Sequence, residues 1–213
     1  MKYHHGTRTR GGFTLIEIIV VIAIVATLAV LGWVATNHVR TSQQKEQAKI
    51  HISQLELAMT NYRQDHGDVM PTGKGDEWSA HVLYAALYCD ENNDGEPDTD
   101  KNTGEQMIPY CEAIKPIATT KHMKEVANGI LSTRVPLTPP HAKKAKKYYV
   151  ILDPWGKPYR YRLGYELRDA DNKVGNGINP DFDIFSLGVD GAGNGRTNTG
   201  NNEDNISNIR SWN

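Results

Sequence analysis

The sequence predicts an α+β fold in which one long amino-terminal helix serves as a spine for a small antiparallel β-sheet and a glycine-rich carboxyl-terminal loop. Three observations carry this expectation. Residues 13–35 are apolar except for Thr14, Glu17, Thr27 and Gly32. That run passes without a proline into an amphipathic stretch, where Ala48, Ile52, Leu55, Met59 and Tyr62 recur at steps of four and three, one face of a helix. Strand-prone segments gather only towards the carboxyl end, around a proline- and glycine-marked turn.

The spine comes first. The chain has 213 residues and a net charge of -1, which fits one modest domain with extensions. Its mean hydropathy of -0.56 hides the crowding of apolar residues at one end. A spanning helix needs about 20 such residues, so residues 13–37 are expected to cross a bilayer once, as the inner half of the spine. Lys2, Arg8 and Arg10 precede this run with no acid in residues 1–12, which places the amino end in the cytoplasm and the rest outside it. Arg40, Lys45 and Lys49 beyond the run weigh the other way, with Glu46 among them. An ordinary cleaved signal fits poorly, because its apolar core is about 7–15 residues long and closes on small residues. The outer half, residues 38–67, should end near Gly67, with Pro71 following. Gln43, Gln44, Lys45, Glu46 and Gln47 would face water. From Phe13 to His66 the helix would measure about 80 Å.

Residues 68–147 form a variable middle. Trp78 to Tyr88 reads as a short helix with Val82, Leu83, Ala86 and Leu87 towards the core, followed by a polar loop over residues 90–106. A further short helix is expected around His122 to Leu131, then a break at Pro136, Pro139 and Pro140. Lys143, Lys144, Lys146 and Lys147 read as a solvated edge before a strand, with lipid headgroups, an acidic neighbour or DNA as other uses of the charge. Residues 148–213 then supply strands at Tyr148–Leu152, Tyr159–Leu163 and Phe182–Leu187. Asp153-Pro154-Trp155-Gly156 suits a type I turn between the first two.

Cys89 and Cys111 are an even pair in a domain expected to face an oxidising compartment, which favours a disulfide over two buried thiols. Between them, Asp90, Asn92 and Asp94 alternate before Gly95, as in the first half of an EF-hand loop. Glu96 and Asp98 could add ligands, but Lys101 stands where an EF-hand has its bidentate glutamate, so either a shorter calcium loop or a solvated turn remains. No enzyme is expected: there is no G-x-S-x-G, no H-E-x-x-H and no P-loop, and the histidines lack partners at ligand spacing.

Gly12-Phe13-Thr14-Leu15-Ile16-Glu17, leading straight into the apolar run, resembles the class III leader of type IV pilins and pseudopilins. Asp153-Pro154-Trp155-Gly156-Lys157-Pro158-Tyr159 and Phe185-Ser186-Leu187-Gly188-Val189-Asp190-Gly191 resemble the major pseudopilins of type II secretion systems, as do Asp204-Asn205-Ile206 and Trp212. The likeness covers roughly residues 1–70 and 148–213. It implies that a prepilin peptidase removes the leader, residues 1–12, by cutting between Gly12 and Phe13 and then methylates Phe13. It further implies that Glu17 pairs with the new amine during assembly. An acid inside a span costs about 2.5–3.5 kcal/mol, so a partner for Glu17 is expected on physical grounds too. The likeness also implies a Ca2+ site formed by the Leu187 carbonyl, Asp190 and Asp204, with Asn205 where the family usually has a second acid. The implied partners are further copies in a helical homopolymer, minor pseudopilins, an inner-membrane assembly platform and the peptidase. No nucleic acid is expected. The implied place is the inner membrane with the carboxyl domain in the periplasm. A type IV pilin for adhesion, twitching motility or DNA uptake is the alternative.

Overall fold

The computed structural model describes residues 14–67, 69–117, 129–191 and 206–207, without the side chains of 30–39 and 206–207. The chain divides into two compact units, Met1–Gln43 and Gln44–Asn213. Helix α1 (Leu15–His66) is continuous from one to the other. Gly67, in the left-handed region at φ 67°, follows its last residue, where glycine carries no steric penalty.

In the first unit the described large apolar side chains of α1 are exposed, from Ile18 at 50% to Leu15 at 77%. Among the described residues no helix is long and apolar enough to cross a membrane. The expected span over residues 13–37 is therefore not carried by them: the apolar run keeps described side chains only over residues 14–29, short of the about 20 that a crossing requires.

In the second unit the stripe on α1 is buried as its spacing predicts, with Ala48 and Leu55 at 0%, Ile52 at 3% and Met59 at 0% exposure. Gln44 departs from expectation. It is half-buried, and its Nε2 donates to the Pro154 carbonyl at 3.1 Å, so the turn at Pro154 covers it.

Beyond α1 lie β1 (Val69–Met70), α2 (Glu77–Tyr88), β2 (Ile114–Ile117), β3 (Ile130–Leu137), β4 (Lys146–Ile151), β5 (Arg160–Leu163), β6 (Arg168–Asp169), β7 (Phe182–Ser186) and β8 (Ile206–Ser207). Asp76 caps α2, accepting from the Ser79 N–H at 2.9 Å and the Ser79 hydroxyl at 2.6 Å. The buried face of α2 is rotated from the expected one. Ala80, His81, Leu83, Tyr84 and Leu87 are buried, whereas Val82 and Ala86 are half-exposed. Leu55, Met59, Leu83, Tyr84, Ile151, Tyr159, Tyr161 and Ile184 share one core cluster. Each such side chain contributes about 1.5–3 kcal/mol by leaving water.

Among the described residues, three small sheets stand in place of the single antiparallel sheet expected from the sequence: β1 beside β6, β2-β3-β4, and β5-β7-β8. The β1–β6 and β2–β3 pairs are parallel. The helix expected to end at Leu131 does not reach there, because Ile130 and Leu131 open β3 and pair with Ile114 and Lys115; residues 122–128 lie outside those described. Pro136 does not break the chain either. It stands beyond Thr133, the last residue of β3 paired with β2, so β3 is an edge strand there and a missing N–H is tolerated.

The turn after β4 forms as expected. Gly156 N–H donates to the Asp153 carbonyl at 2.9 Å, closing the four-residue turn. It leads into β5, however, which belongs to a different sheet from β4. Arg162 on β5 and Asp183 on β7 form a buried ion pair at 3.3 Å. Asp183 also accepts from the Ile178 and Asn179 N–H groups at 2.8 and 2.9 Å, which ties the preceding loop to the sheet.

Candidate functional site

The amino-terminal feature begins at Thr14. Glu17 N–H donates to the Thr14 carbonyl at 3.1 Å and to its hydroxyl at 3.3 Å. In return, the Glu17 carboxylate accepts from the Thr14 N–H at 3.4 Å and lies 3.5 Å from its hydroxyl. This is a capping box, in which a threonine and a glutamate three residues on satisfy each other's backbone donors. The Thr-Leu-Ile-Glu spacing before an apolar run is its sequence signal, and Thr14 is the residue that the sequence reading left without a role. The box holds the carboxylate against the backbone of Thr14, the residue next to Phe13. Gly12 and Phe13 themselves lie outside the described residues.

At the other end, the structure joins the segment 153–159 to the segment 185–191. Asp153 is 4% exposed and Ser186 is fully buried, and the Ser186 hydroxyl donates to Asp153 Oδ2 at 2.6 Å. The other oxygen of Asp153 accepts from the Trp155 and Lys157 N–H groups at 3.0 and 2.8 Å. Burial pushes the Asp153 carboxyl up, and the bonds from Ser186, Lys157 and Trp155 oppose that. Gly188 N–H donates to the Ser186 oxygen at 3.0 Å, and Gly188 turns at φ 67°. Leu187 is thereby fixed between a strand and a turn, while Asp190 is exposed. β8 returns antiparallel to β7, with Ile206 opposite Ser186. Asp204 and Asn205, the remaining expected calcium ligands, lie outside the described residues.

The loop after α2 is organised around Asp90, which is wholly buried. One oxygen accepts from the Asp94 N–H at 3.1 Å; the other accepts from the Gly95 N–H at 2.9 Å and the Tyr84 hydroxyl at 2.8 Å. Asp98 accepts from the Glu91 N–H at 2.7 Å and from the Asn92 side-chain amide at 2.6 Å. Asp94 accepts from the Glu96 N–H at 2.8 Å. The carboxylates of Asp90 and Asp98 thus accept from donors of their own loop and of α2. Among the described residues no group of three or more His, Cys, Asp or Glu side chains is placed to hold a metal ion.

Cys89 closes α2 in the left-handed region at φ 57°. Cys111 N–H donates to the Leu87 carbonyl at 3.2 Å, which brings the second cysteine back to the same helix end. Both thiols are free and buried, and burial pushes both up in pKa.

Comparison with known proteins gives one match. The family described as the prokaryotic N-terminal methylation motif matches residues 7–33, the segment that holds Gly12, Phe13 and the capping box. No curated protein and no solved structure matches the chain. A methylation motif of this kind fits type IV pilin-like proteins in general.

Proposed function

We propose that the chain is a pseudopilin: a structural subunit that polymerises into the periplasmic pseudopilus of a type II secretion system and supports export of folded proteins across the outer membrane. It would catalyse nothing. The observation that carries this reading is the methylation motif at residues 7–33 coinciding with a carboxylate held at the first turn of a long helix that opens on an apolar run. Cleavage after Gly12 would leave an amine on Phe13 at the positive end of α1, where Glu17 already sits. In a polymer, that carboxylate is free to exchange its Thr14 partners for the amine of a neighbour. The apolar run would anchor the subunit in the inner membrane before assembly and pack against other spines after it. Minor pseudopilins, an assembly platform and the prepilin peptidase are the partners this reading requires.

The buried Asp153–Ser186 bond supports the secretion branch, because it welds the two segments whose sequence resembles major pseudopilins. The pilin alternative, for adhesion, twitching motility or DNA uptake, shares the leader and the cap. For the carboxyl-terminal loop we propose a Ca2+ site drawing on the Leu187 carbonyl, Asp190, Asp204 and Asn205. For Cys89 and Cys111 we propose a disulfide once the domain meets an oxidising compartment.

Mass spectrometry of the membrane-extracted chain, alkylated without reduction, tests most of this at once. The expected species lacks residues 1–12, carries a methyl group on Phe13 and has no alkylated cysteine. An intact Met1 overturns both filament readings, and alkylated Cys89 and Cys111 overturn the bridge. Deletion that stops secretion but not twitching favours the pseudopilin; the reverse favours the pilin. Chelation should lower the melting temperature, and no shift with either chelator or Asp190→Ala removes the calcium site.

A further inference from the structure

A groove of about 980 Å³ opens between the end of α1, α2 and the loop that follows α2, all within the Gln44–Asn213 unit. Aromatic rings wall it. Trp78 and His81 lie with centroids 5.0 Å apart, and Tyr62 meets Tyr110 edge-on at 5.3 Å. Glu91, Asp98 and Asp100 also line it, with Lys101, His66 and His81 as its basic side chains. His81 is only 6% exposed yet borders the groove. Its Nδ1 lies 3.0 Å from the Tyr149 carbonyl, which can only accept, so Nδ1 carries the ring proton. Burial lowers the His81 pKa and so favours the neutral ring, in which Nε2 is an acceptor. Aromatic faces, carboxylates and an imidazole acceptor together select an ammonium group over an anion.

The chain itself carries such groups. β3 and β4 pair antiparallel out to Leu137 opposite Lys146, so the connection between them sits at the tip of a hairpin. Residues 141–147, His-Ala-Lys-Lys-Ala-Lys-Lys, are exposed without exception. Among the described residues no ion pair engages Lys143, Lys144, Lys146 or Lys147, and none engages the acids that line the groove. Among the described residues, two surfaces of opposite sign thus carry no ion pair within the subunit.

We propose that the groove receives the lysine-bearing β3–β4 hairpin of a second copy of this chain. The inference rests on the reading of the chain as a self-polymerising subunit, and it names a contact that subunit would use. Each copy carries one groove and one hairpin. The contact is therefore heterologous, and repeating it adds subunits along a filament instead of closing a dimer.

The test places a photo-reactive benzoylphenylalanine at Met107, a groove residue, in the full-length chain in membranes. The expected product is a dimer whose cross-linked peptide includes residues 138–147 of the second copy. Reversing Lys143, Lys144, Lys146 and Lys147 to Glu should cut the yield about tenfold, the worth of a few surface ion pairs. Adding Glu91→Lys and Asp100→Lys to that variant should restore it. A synthetic peptide of residues 138–148 should compete for the unaltered chain, while its lysine-to-glutamine version should not, which covers the case of a misfolded variant. Cross-links to the same chain, to another protein or to lipid overturn the proposal, as does a yield indifferent to charge reversal and to the peptide. The same sample reports the amino terminus: a cut and methylated chain without the cross-link sinks the groove contact alone, whereas an uncut chain sinks the subunit reading.

Discussion

Asp90 is the position where one substitution should be most instructive. Its buried carboxylate accepts from the Tyr84 hydroxyl at 2.8 Å and from the Gly95 and Asp94 N–H groups at 2.9 and 3.1 Å. Asp90→Ala removes all three bonds and leaves the buried Tyr84 hydroxyl without its acceptor. A hydrogen bond to a charged group is worth about 1.5–3 kcal/mol, and an orphaned buried donor costs about 1–3 kcal/mol. The terms overlap, and desolvation of the carboxylate is recovered, so a loss of about 3–4 kcal/mol is expected. Tyr84→Phe removes one bond and leaves no orphan on the tyrosine, so it should cost about 1 kcal/mol. The double variant should be more stable than the sum of the two losses predicts, by about 1–2 kcal/mol, because both single changes delete the same bond. Urea unfolding of the detergent-solubilised chain, followed by near-ultraviolet circular dichroism, measures each value as a shift in midpoint at constant slope. Running the series in chelator and in Ca2+ separates two roles. A purely hydrogen-bonded hub gives the same losses in both, whereas a metal loop makes Asp90→Ala costlier in Ca2+. A loss below about 1 kcal/mol, or strict additivity with Tyr84→Phe, would refute the hub.

Two further outcomes follow from the same coordinates. A Cβ added at Gly164 would run into the Pro180 carbonyl and the Asp181 backbone; Gly164→Ala should therefore cost about 1–3 kcal/mol, read as a lower urea midpoint, and no loss would contradict this close approach. His51 and His81 are both held below their usual pKa of 6.5 by burial. The unfolded chain then takes up their protons first, so their contribution is complete above about pH 6.5 and is lost as the pH falls through the lower folded values. The midpoint should drop between pH 7.5 and 5.5, and the drop should shrink in a His51→Gln, His81→Gln variant; an unchanged slope with pH would count against buried neutral histidines.

Elements governed by local spacing were legible in the sequence. The Ala48–Met59 stripe needed only the helical period, and the turn at Asp153–Gly156 needed only a proline and a glycine at fixed positions. The middle was not legible for a physical reason. β2 and the start of β3 pair in parallel across a gap in sequence, and short strands with non-local partners carry no periodic signal of their own. His122 to Leu131 therefore read as a helix, although Ile130 and Leu131 are strand. The apolar character of Val82 and Ala86 predicts that they face the core; the core holds His81 and Tyr84 instead, since each of those finds a polar partner, in the Tyr149 carbonyl and Asp90. The capping box at Thr14 is legible in the three-residue spacing of Thr14 and Glu17, a signal separate from the charge of Glu17.

The sequence by itself determined the helix that runs to His66, the apolar character of its first part, and the methylation motif around Gly12 and Phe13, all of which depend on neighbours along the chain. Only the tertiary structure decided that Asp153 and Ser186, far apart in sequence, share one buried hydrogen bond. It also decided that Asp90 serves as an acceptor for its own loop, and that among the described residues the lysine hairpin and the acids of the aromatic groove carry no ion pair. Those outcomes depend on which backbone donors and which strands meet in space, and that is set by packing across the chain, not by the order of residues within any one segment.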